Sequence, residues 1–413
     1  MKVLTILGGL LLGILMACAT SQADEGLLYG KVYTVDNDVF EGFIRWDRNE
    51  ASWVNILDGD KELDRKRHRK DRHKRYRPKK KVSIFGVTVY SEGDYDYIIS
   101  SNMAQSGLRM GHIKELVVDG DDEVVLVLKS GEEVFLENGS GDIGDDNREI
   151  LVDTQDEGII EFYWDDIEKV EFMKTPDRTT KFGTRLYGTA VTRRGDQFTG
   201  YISWDMDEAF DEDILDGRDR HRKRKIRFSS IASIERRSPS SALVTLKNGE
   251  RLRLDETNDV NSGNRGIVVA DPALGRVKIT WDDFDYIEFT ALPDGYGYDN
   301  FDGGRRLTGT VFTEDGEEFA GKIKWDDDEE FTWELLDGKI DDVDFGIEMG
   351  NIKEIEKISF RGSRVVLNDG REFRLDDSND IDEDNKGIIV LLDNDEEVFV
   401  DWDDFERVVF SGK

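Results

Sequence analysis

The sequence of 413 residues is poor in the residue types that mark most catalytic centres and disulfide scaffolds. Its single cysteine, Cys18, excludes an intramolecular disulfide, so packing must stabilise the fold. Three of its four histidines lie in arginine- and lysine-rich stretches. No phosphate-binding glycine loop, HExxH stretch or GxSxG nucleophile stands in the sequence context that such a site requires. These absences favour a non-catalytic protein.

Beyond its N-terminus the chain also lacks any apolar run long enough to cross a membrane. Residues 3–16 are apolar, and small residues follow up to Ala23, so residues 1–23 are predicted to be a secretory signal peptide. Residues 15–18 (LMAC) resemble the lipobox of bacterial lipoproteins, which predicts cleavage before Cys18 and its acylation. The alternative is ordinary cleavage after Ala23. Both routes predict a bacterial envelope protein, either periplasmic or held at the outer membrane through a lipid anchor only.

Positive charge is scarce overall and concentrated in two places. The chain has 91 Asp and Glu against 57 Lys and Arg, a formal net charge of −34, which argues against nucleic-acid binding because phosphates require a cationic surface. Residues 61–81 nevertheless hold thirteen Lys or Arg and three acids. Residues 218–227 hold seven Lys or Arg and one acid, whereas the corresponding residues 339–348 hold one Lys and four acids.

The dipeptide Trp-Asp occurs six times and shows how the chain is built. The six copies are Trp46-Asp47, Trp164-Asp165, Trp204-Asp205, Trp281-Asp282, Trp325-Asp326 and Trp402-Asp403. Residues 186–289 align on residues 307–410 at a constant offset of 121 without a gap, and the two Trp-Asp pairs in each are 77 residues apart. Residues 28–172 form an earlier copy with 41 extra residues, mostly a basic insertion at about 60–110. The sequence therefore predicts three tandem repeats.

The local patterns within each repeat predict an all-β fold. Apolar residues alternate with polar residues almost throughout, and no long helical pattern follows the signal peptide. Asn248-Gly249, Asp315-Gly316 and Asp369-Gly370 are tight-turn signals between alternating runs. Each repeat of about 105 residues is predicted to be antiparallel, either one sandwich or a pair of small SH3-like or Sm-like barrels, by analogy of size. The linkers, 173–185 and 290–306, contain Pro176 and Pro293.

A WD-repeat propeller is the less favoured interpretation of the dipeptide, because the 77-residue intervals contain no further Trp-Asp pair. The tryptophans are instead predicted to lie in the core at strand ends, two residues after apolar positions such as Ile202, Ile279 and Ile323. The aspartate that follows each tryptophan is predicted to cap the turn into the next strand.

The basic stretches are the first candidate binding site. They are predicted to attract an anionic partner, which could be an anionic lipid, an anionic polysaccharide, an acidic protein surface or another copy of this chain. The alternative is a solvated stretch that folds against acidic faces of its own chain. The candidate residues are Lys66, Arg67, Arg69, Lys70, Arg72, Lys74, Arg75, Arg220, Arg222, Lys223 and Arg224.

An Asp/Asn-rich loop recurs at 139–150, 257–267 and 378–388 and is the second candidate site. Alternating oxygen side chains can bind calcium, the one cofactor that the sequence suggests. The weak candidate ligands are Asp142, Asp259, Asp380, Asp382 and Asp384. The EF-hand pattern is not followed, and turn chemistry, in which Asp and Asn side chains cap backbone amides, is the favoured alternative.

These features together favour a non-catalytic exported protein that uses tandem β modules as an interaction scaffold, with basic loops that bind an anionic partner. One alternative is a calcium-stabilised or glycan-binding surface module. A second is a carboxylate-based glycan hydrolase, for which the 91 acidic residues single out no catalytic pair.

Overall fold

A computed structural model of the chain describes residues 25–62, 82–84, 87–89, 103–137, 140–294, 296–326 and 328–412. The predicted signal peptide with Cys18, and the candidate basic residues between 66 and 75, lie outside these ranges. The regular elements of the described residues are β-strands and short 3₁₀ turns, so the predicted all-β class is confirmed. None of the helical turns in these ranges is long and apolar enough to span a membrane.

We call residues 28–172, 186–289 and 307–410 segments 1, 2 and 3. Segment 1 contains Tyr29–Thr34 (β1), Val39–Trp46 (β2), Ile56–Glu62 (β3), Val82–Ile84 (β4), Val87–Val89 (β5), Met103–Arg109 (β6), Ile113–Val118 (β7), Glu123–Leu128 (β8), Glu133–Glu137 (β9), Ile150–Thr154 (β10), Gly158–Phe162 (β11) and Ile167–Phe172 (β12). Segment 2 contains Tyr187–Thr192 (β13), Gln197–Ser203 (β14), Ile214–Asp219 (β15), Arg222–Arg227 (β16), Ile231–Ser238 (β17), Ser241–Leu246 (β18), Arg251–Asp255 (β19), Ile267–Asp271 (β20), Gly275–Ile279 (β21) and Phe284–Phe289 (β22).

Segment 3 contains Thr308–Thr313 (β23), Glu318–Lys324 (β24), Leu335–Ile340 (β25), Val343–Glu348 (β26), Ile352–Ser359 (β27), Gly362–Leu367 (β28), Glu372–Asp376 (β29), Ile388–Leu391 (β30), Glu397–Val400 (β31) and Phe405–Phe410 (β32). The 3₁₀ turns are Met110–His112 (η1), Trp164–Asp166 (η2), Phe228–Ser230 (η3), Asn258–Val260 (η4), Tyr298–Asn300 (η5) and Met349–Asn351 (η6).

Each segment contains two antiparallel groups of five strands joined edge to edge. In segment 1 the order is β11-β10-β2-β1-β12 for the first group and β7-β8-β9-β3-β6 for the second, with β12 hydrogen-bonded to β7. The chain builds two strands of the first group, then all of the second group, and returns for the last three strands. Segments 2 and 3 repeat these pairings strand by strand.

A further strand pair joins segments 2 and 3. Strand β21 pairs antiparallel with β26, in a register that places Lys278 opposite Asp344. The pairings then form one path of twenty strands with β16 at one end and β31 at the other. Segment 1 forms a separate ten-stranded sheet. The two large sheets are thus antiparallel throughout, and segment 1 contacts the other segments through side chains.

The local sequence explains the strands and their turns. Strand β8 buries every second residue, as its alternating sequence EVVLVL predicts. The predicted turns lie at the ends of hairpins, where Gly249, Gly316 and Gly370 have φ of 88°, 84° and 91°. A left-handed backbone of this kind favours glycine, since it has no Cβ to clash.

All six tryptophans of the Trp-Asp pairs are buried, with exposed fractions of 0–4 %, so their predicted place in the core is confirmed. The two tryptophans of each segment, 77 or 118 residues apart in sequence, meet edge to face. Their ring centroids are 6.3 Å apart for Trp46 and Trp164, 6.3 Å for Trp204 and Trp281, and 6.0 Å for Trp325 and Trp402. This geometry is favourable for aromatic rings.

Candidate functional site

Strands β15 and β16 form a basic hairpin at one end of the twenty-strand path. The two residues between the strands, Arg220 and His221, both have positive φ, 49° and 69°. This is the backbone of a type I′ turn, whose twist suits a two-residue hairpin. We call Ile214–Asp219 and Arg222–Arg227 with this turn the basic hairpin. Its tip presents two of the predicted anion-binding residues to solvent, Arg220 and Arg222.

The chain neutralises some cations of the basic hairpin and leaves others open. Arg224 forms an ion pair with Asp219 at 3.2 Å across the hairpin. Arg218 and Arg227 of the same hairpin form ion pairs with Glu256 and Glu212, at 3.2 and 3.0 Å. Within the described residues no ion pair involves Arg220, Arg222 or Lys223, and all three are exposed. Three of the four candidate residues of segment 2 are therefore available to an anion.

The corresponding hairpin of segment 3, β25–β26, is buried in the joint with β21. Phe345, at the position of Arg224, is 2 % exposed. Its ring lies 5.5 Å from that of Phe198 in segment 2 and 5.3 Å from that of Phe373. The corresponding hairpin of segment 1, β3–β6, carries the basic insertion. There Lys61, the first basic residue of the stretch, donates to the Asp328 carbonyl at 2.7 Å and pairs with Glu334 of segment 3.

Two arginines link the segments through contacts of their guanidinium groups. Arg109 of segment 1, 1 % exposed, donates to the carbonyls of Pro272 and Asp271 in segment 2, at 2.7 and 2.8 Å. It also pairs with Glu348 of segment 3 at 3.1 Å. The hydrogen bonds of its two terminal nitrogens offset part of the cost of burying this charge.

The second arginine, Arg276 of β21, binds both carboxylate oxygens of Asp58 in segment 1. It lies in a cleft of about 750 Å³ that is lined by residues of all three segments. The lining is a mixture of carboxylates, such as Asp337 and Asp344, and cations, such as Lys278. Burial raises the pKa of Asp337 to about 6, and the opposing charge of Arg276 limits that rise.

The Asp/Asn loops are fastened to the strands by backbone hydrogen bonds. The carboxylates of Asp142, Asp259 and Asp380 accept the N–H groups of Asp58, Asp216 and Asp337 at 2.8, 2.6 and 2.6 Å. The backbone carbonyls of the same three aspartates accept the indole N–H groups of Trp46, Trp204 and Trp325 at 2.8, 2.9 and 2.8 Å. Of the remaining candidates, Asp382 accepts the N–H of Asp384 at 3.0 Å, which is a local turn. The carboxylates of Asp142, Asp259 and Asp380 therefore fasten each loop to a strand far away in sequence, whereas Asp382 makes a turn contact within its own loop.

The prediction that the aspartate after tryptophan caps its own turn is wrong for the first Trp-Asp pair of each segment. Asp47, Asp205 and Asp326 instead have positive φ of 41°, 53° and 45°. Their carboxylates accept the backbone N–H groups of Arg148, Arg265 and Lys386, at 2.8, 2.5 and 2.5 Å. The left-handed backbone turns each carboxylate away from the local turn and toward the Asp/Asn loop.

Sequence reasoning missed a glutamate that recurs in each segment and is buried in segments 1 and 3 and half-buried in segment 2. Glu50, Glu208 and Glu329 stand four residues after the first tryptophan, in FIRWDRNE, YISWDMDE and KIKWDDDE. In the described structure the Oε2 atom of each is buried without a hydrogen-bond partner. Their recurrence at one position was the available signal. It was hidden among 91 acids, which make any single Glu inconspicuous.

Each of these glutamates lies in a group of buried carboxylates. Carboxylate oxygens of Asp47, Glu50 and Asp142 all lie within 4.8 Å of one another. Burial, followed by the charge of Asp142, raises the pKa of Glu50 well above its ordinary value. In segment 2, burial and the charge of Asp259 raise the pKa of Glu208 to about 9. Like charges at this distance require a proton or a cation between them.

In comparisons with known proteins, no family model matches the chain, and neither a curated protein nor a solved structure is significantly similar to it.

Proposed function

We propose that this chain is a non-catalytic exported protein of the bacterial cell envelope that acts as an interaction scaffold. Residues 1–23 direct its export, and Cys18 supplies a lipid anchor. Segments 1–3 are three tandem repeats, and the two five-stranded groups in each correspond to small barrels of SH3-like size. Its basic stretches, 61–81 and the basic hairpin, bind an anionic component of the envelope or an acidic protein surface.

The observation that supports this proposal is the unequal pairing of the basic hairpin. Arg220, Arg222 and Lys223 are exposed and make no ion pair within the described residues. A single unpaired cation at a solvated surface has little effect on stability. Three such cations close together create a local positive field on an otherwise acidic chain. Each basic residue near an anionic surface contributes about 1 kcal/mol to binding.

The test uses the full-length chain and three anionic probes: vesicles containing phosphatidylglycerol, dextran sulfate and polyglutamate. Replacing Arg220, Arg222 and Lys223 by Gln together is expected to weaken binding to at least one probe about a hundredfold at low salt, from three lost contacts of about 1 kcal/mol each. The matched control replaces the ion-paired Arg218, Arg224 and Arg227 by Gln.

The control removes the same charge from the same hairpin. Because its three arginines are already ion-paired within the chain, the control should bind the probes more tightly than the first variant does. A second comparison deletes 61–81, which is expected to weaken binding further. The proposal is wrong if the natural chain binds none of the three probes, or if both triple variants lose affinity equally.

A calcium-stabilised module is the second candidate function, and the partnerless Oε2 of Glu50 beside Asp47 and Asp142 is the observation that favours it. A divalent cation prefers oxygen ligands and would neutralise this group. Millimolar calcium is then expected to raise the melting temperature of the natural chain, because a ligand of the native state adds stability. Glu50→Gln should abolish the shift. An equal shift in both chains would exclude this site.

A further inference from the structure

A second group of exposed cations lies beside the basic hairpin, on strand β19 and in the turn before it. Lys247, Arg251 and Arg253 are exposed, and no ion pair involves any of them within the described residues. We call these three residues the β19 cations. Arg253 donates a hydrogen bond to the Ser241 hydroxyl at 3.4 Å, and this neutral partner leaves the charge of the guanidinium unbalanced.

The strand register puts the β19 cations on the same outer face as the basic hairpin. Arg218 of β15 stands opposite Lys223 of β16 on one side and opposite Asp255 of β19 on the other. Arg253 and Arg251 lie two and four residues before Asp255, and β19 buries the residues between them. Because alternate side chains of a strand point to one face, these arginines lie on the side of Lys223.

The cations extend over a surface much longer than one small anion. With a rise of about 3.4 Å per residue, Arg251 lies about 14 Å along β19 from the row of Asp255. Lys223 stands in that row, two strand spacings or about 10 Å away. A single phosphate or carboxylate contacts only neighbouring cations, whereas a polymer with repeated charges can contact all of them.

The acids on this surface are too few to neutralise it. Glu250 and Asp255 lie there without an ion pair in the described ranges, against the three β19 cations and the three open cations of the basic hairpin. The neighbouring Glu256 is already paired with Arg218. A local positive field on a chain of net charge −34 attracts an anionic partner.

The corresponding face of segment 3 is neutralised within the chain. Arg364 on β28 forms ion pairs with Glu354, Glu356 and Glu372, at 3.2, 2.7 and 3.4 Å. The three glutamates lie on the strands at either side of this arginine and on its own face of the sheet. This face of segment 3 therefore supplies its own counter-charges.

Segment 2 lacks that network. At the constant offset of 121, Ser233 and Arg251 replace two of the three glutamates, and Leu243 replaces the arginine. Two acids are lost, while the number of cations is unchanged. The same face of the same fold is thus balanced internally in segment 3 and positively charged in segment 2.

The face also lacks the apolar anchors of a protein or membrane interface. Segment 2, which the structure describes completely, exposes one large apolar side chain, Tyr286 on β22. Protein interfaces depend on clustered aromatic anchors, and membrane-bound surfaces bury apolar side chains among the lipids. A hydrophilic polyanion requires neither.

We propose that the anionic partner of segment 2 is a linear anionic polysaccharide, which lies across the outer face from the basic hairpin to the β19 cations. This inference rests on the proposed function, since it names the class of partner for the same hairpin and extends its binding surface. Repeated carboxylate or sulfate groups along the polymer accept hydrogen bonds from the guanidinium groups. Binding of this kind weakens as the salt concentration rises.

The experiment measures binding of the full-length chain to polygalacturonate, a linear carboxylated polysaccharide, and to its monomer, galacturonate. Replacing Lys247, Arg251 and Arg253 by Gln together is expected to lower the affinity for the polymer about a hundredfold at low salt, because three charge contacts are lost. The natural chain should bind the polymer more tightly per carboxylate than it binds the monomer.

The matched control replaces Lys322, Lys353 and Arg374 of segment 3 by Gln. It removes the same charge from exposed positions outside the proposed surface, so it should bind polygalacturonate as the natural chain does. An equal loss of affinity in this control and in the variant of the β19 cations overturns the inference.

A second variant rebuilds in segment 2 the network of segment 3. Ser233→Glu, Leu243→Arg and Arg251→Glu together supply internal counter-charges, so the affinity for polygalacturonate should fall at least tenfold. Thermal unfolding checks that the variant remains folded. Natural affinity in a folded variant of this kind contradicts the proposed surface.

The same measurements separate this inference from the proposed function. If the natural chain binds phosphatidylglycerol vesicles or polyglutamate but not polygalacturonate, the polysaccharide is wrong and the proposed function stands. The same conclusion follows if the variant of Arg220, Arg222 and Lys223 loses polygalacturonate while the variant of the β19 cations keeps it. Tight binding of polygalacturonate that neither variant weakens overturns both.

Discussion

The hairpins β15–β16 and β25–β26 occupy the same position in segments 2 and 3, yet one is an open basic edge and the other an internal joint. Their strands pair in the same register, and the first turn residues, Arg220 and Asp341, both have positive φ, 49° and 56°. Their outer strands differ, RKRKIR against VDFGIE. The comparison shows that a few side chains decide whether this hairpin is buried between units or left for a partner.

The exchange of one residue between the hairpins is expected to have the largest effect. Phe345→Arg gives β26 the residue that β16 has at this position, Arg224. It removes ring contacts with Phe198 and Phe373 and buries an unpaired charge, so we expect a loss of about 4 kcal/mol in the free energy of unfolding. Urea denaturation measures this loss.

The reciprocal change, Arg224→Phe, is the control for that experiment. It lies on the open edge, where a surface substitution changes stability by about 0.5 kcal/mol or less. Equal losses in both variants would show that the two hairpins have the same environment, contrary to the structure.

Arg276, on strand β21 of the joint between segments 2 and 3, gives the second prediction. Arg276→Ala removes the cation that binds Asp58 and whose charge acts on Asp337, and breaking this half-buried pair costs about 3 kcal/mol. The loss should be larger at pH 8 than at pH 5, because burial raises the pKa of Asp337 to about 6 and its protonation at pH 5 removes one of the two negative charges. Denaturation at both pH values measures the difference, and a loss independent of pH would contradict it.

Glu208 and the carboxylates around it in segment 2 give the third prediction. The pKa of Glu208, raised to about 9 by burial, lies above its ordinary value, so the folded chain keeps a proton that the unfolded chain releases. Its contribution to stability is therefore present at low pH and is lost as pH rises toward 9. Glu208→Gln keeps the shape and removes this loss. We expect the variant to be more stable than the natural chain by about 2 kcal/mol at pH 6 and equal to it near pH 4.

A variant that shows the same stability difference at both pH values would indicate that Glu208 is not the titrating group. The comparison with Glu288→Gln, an exposed residue on β22 of the same segment, controls for the general loss of one negative charge.

The smallest expected effect tests the charge pair of the joint. Asp344→Lys places a second cation opposite Lys278 and should cost about 0.5–1 kcal/mol. Adding Lys278→Asp restores opposite charges and should recover most of that loss. Thermal unfolding of the single and double variants measures the coupling, and additive losses would show that the two side chains do not interact.

The strands and turns of this chain can be predicted from its sequence because their causes are local. Period-two alternation predicts strands such as β8, and the Asn-Gly and Asp-Gly pairs predict their turns. The burial of the six tryptophans followed from apolar neighbours two residues earlier. The sequence did not single out Glu50, Glu208 and Glu329. Their raised pKa values depend on burial beside carboxylates that are far away in sequence, such as Asp142 beside Glu50.

By itself the sequence determined the strand-rich character of the chain, the recurrence of Trp-Asp at fixed spacing and the uneven distribution of charge, since each depends on neighbouring residues or on simple composition. Only the tertiary structure decided which cations stay unpaired and which hairpin becomes a joint. Those outcomes depend on where the segments lie, and Arg109 and Arg276 fix that placement through bonds that span 162 and 218 residues of sequence. No local pattern encodes a contact of that range.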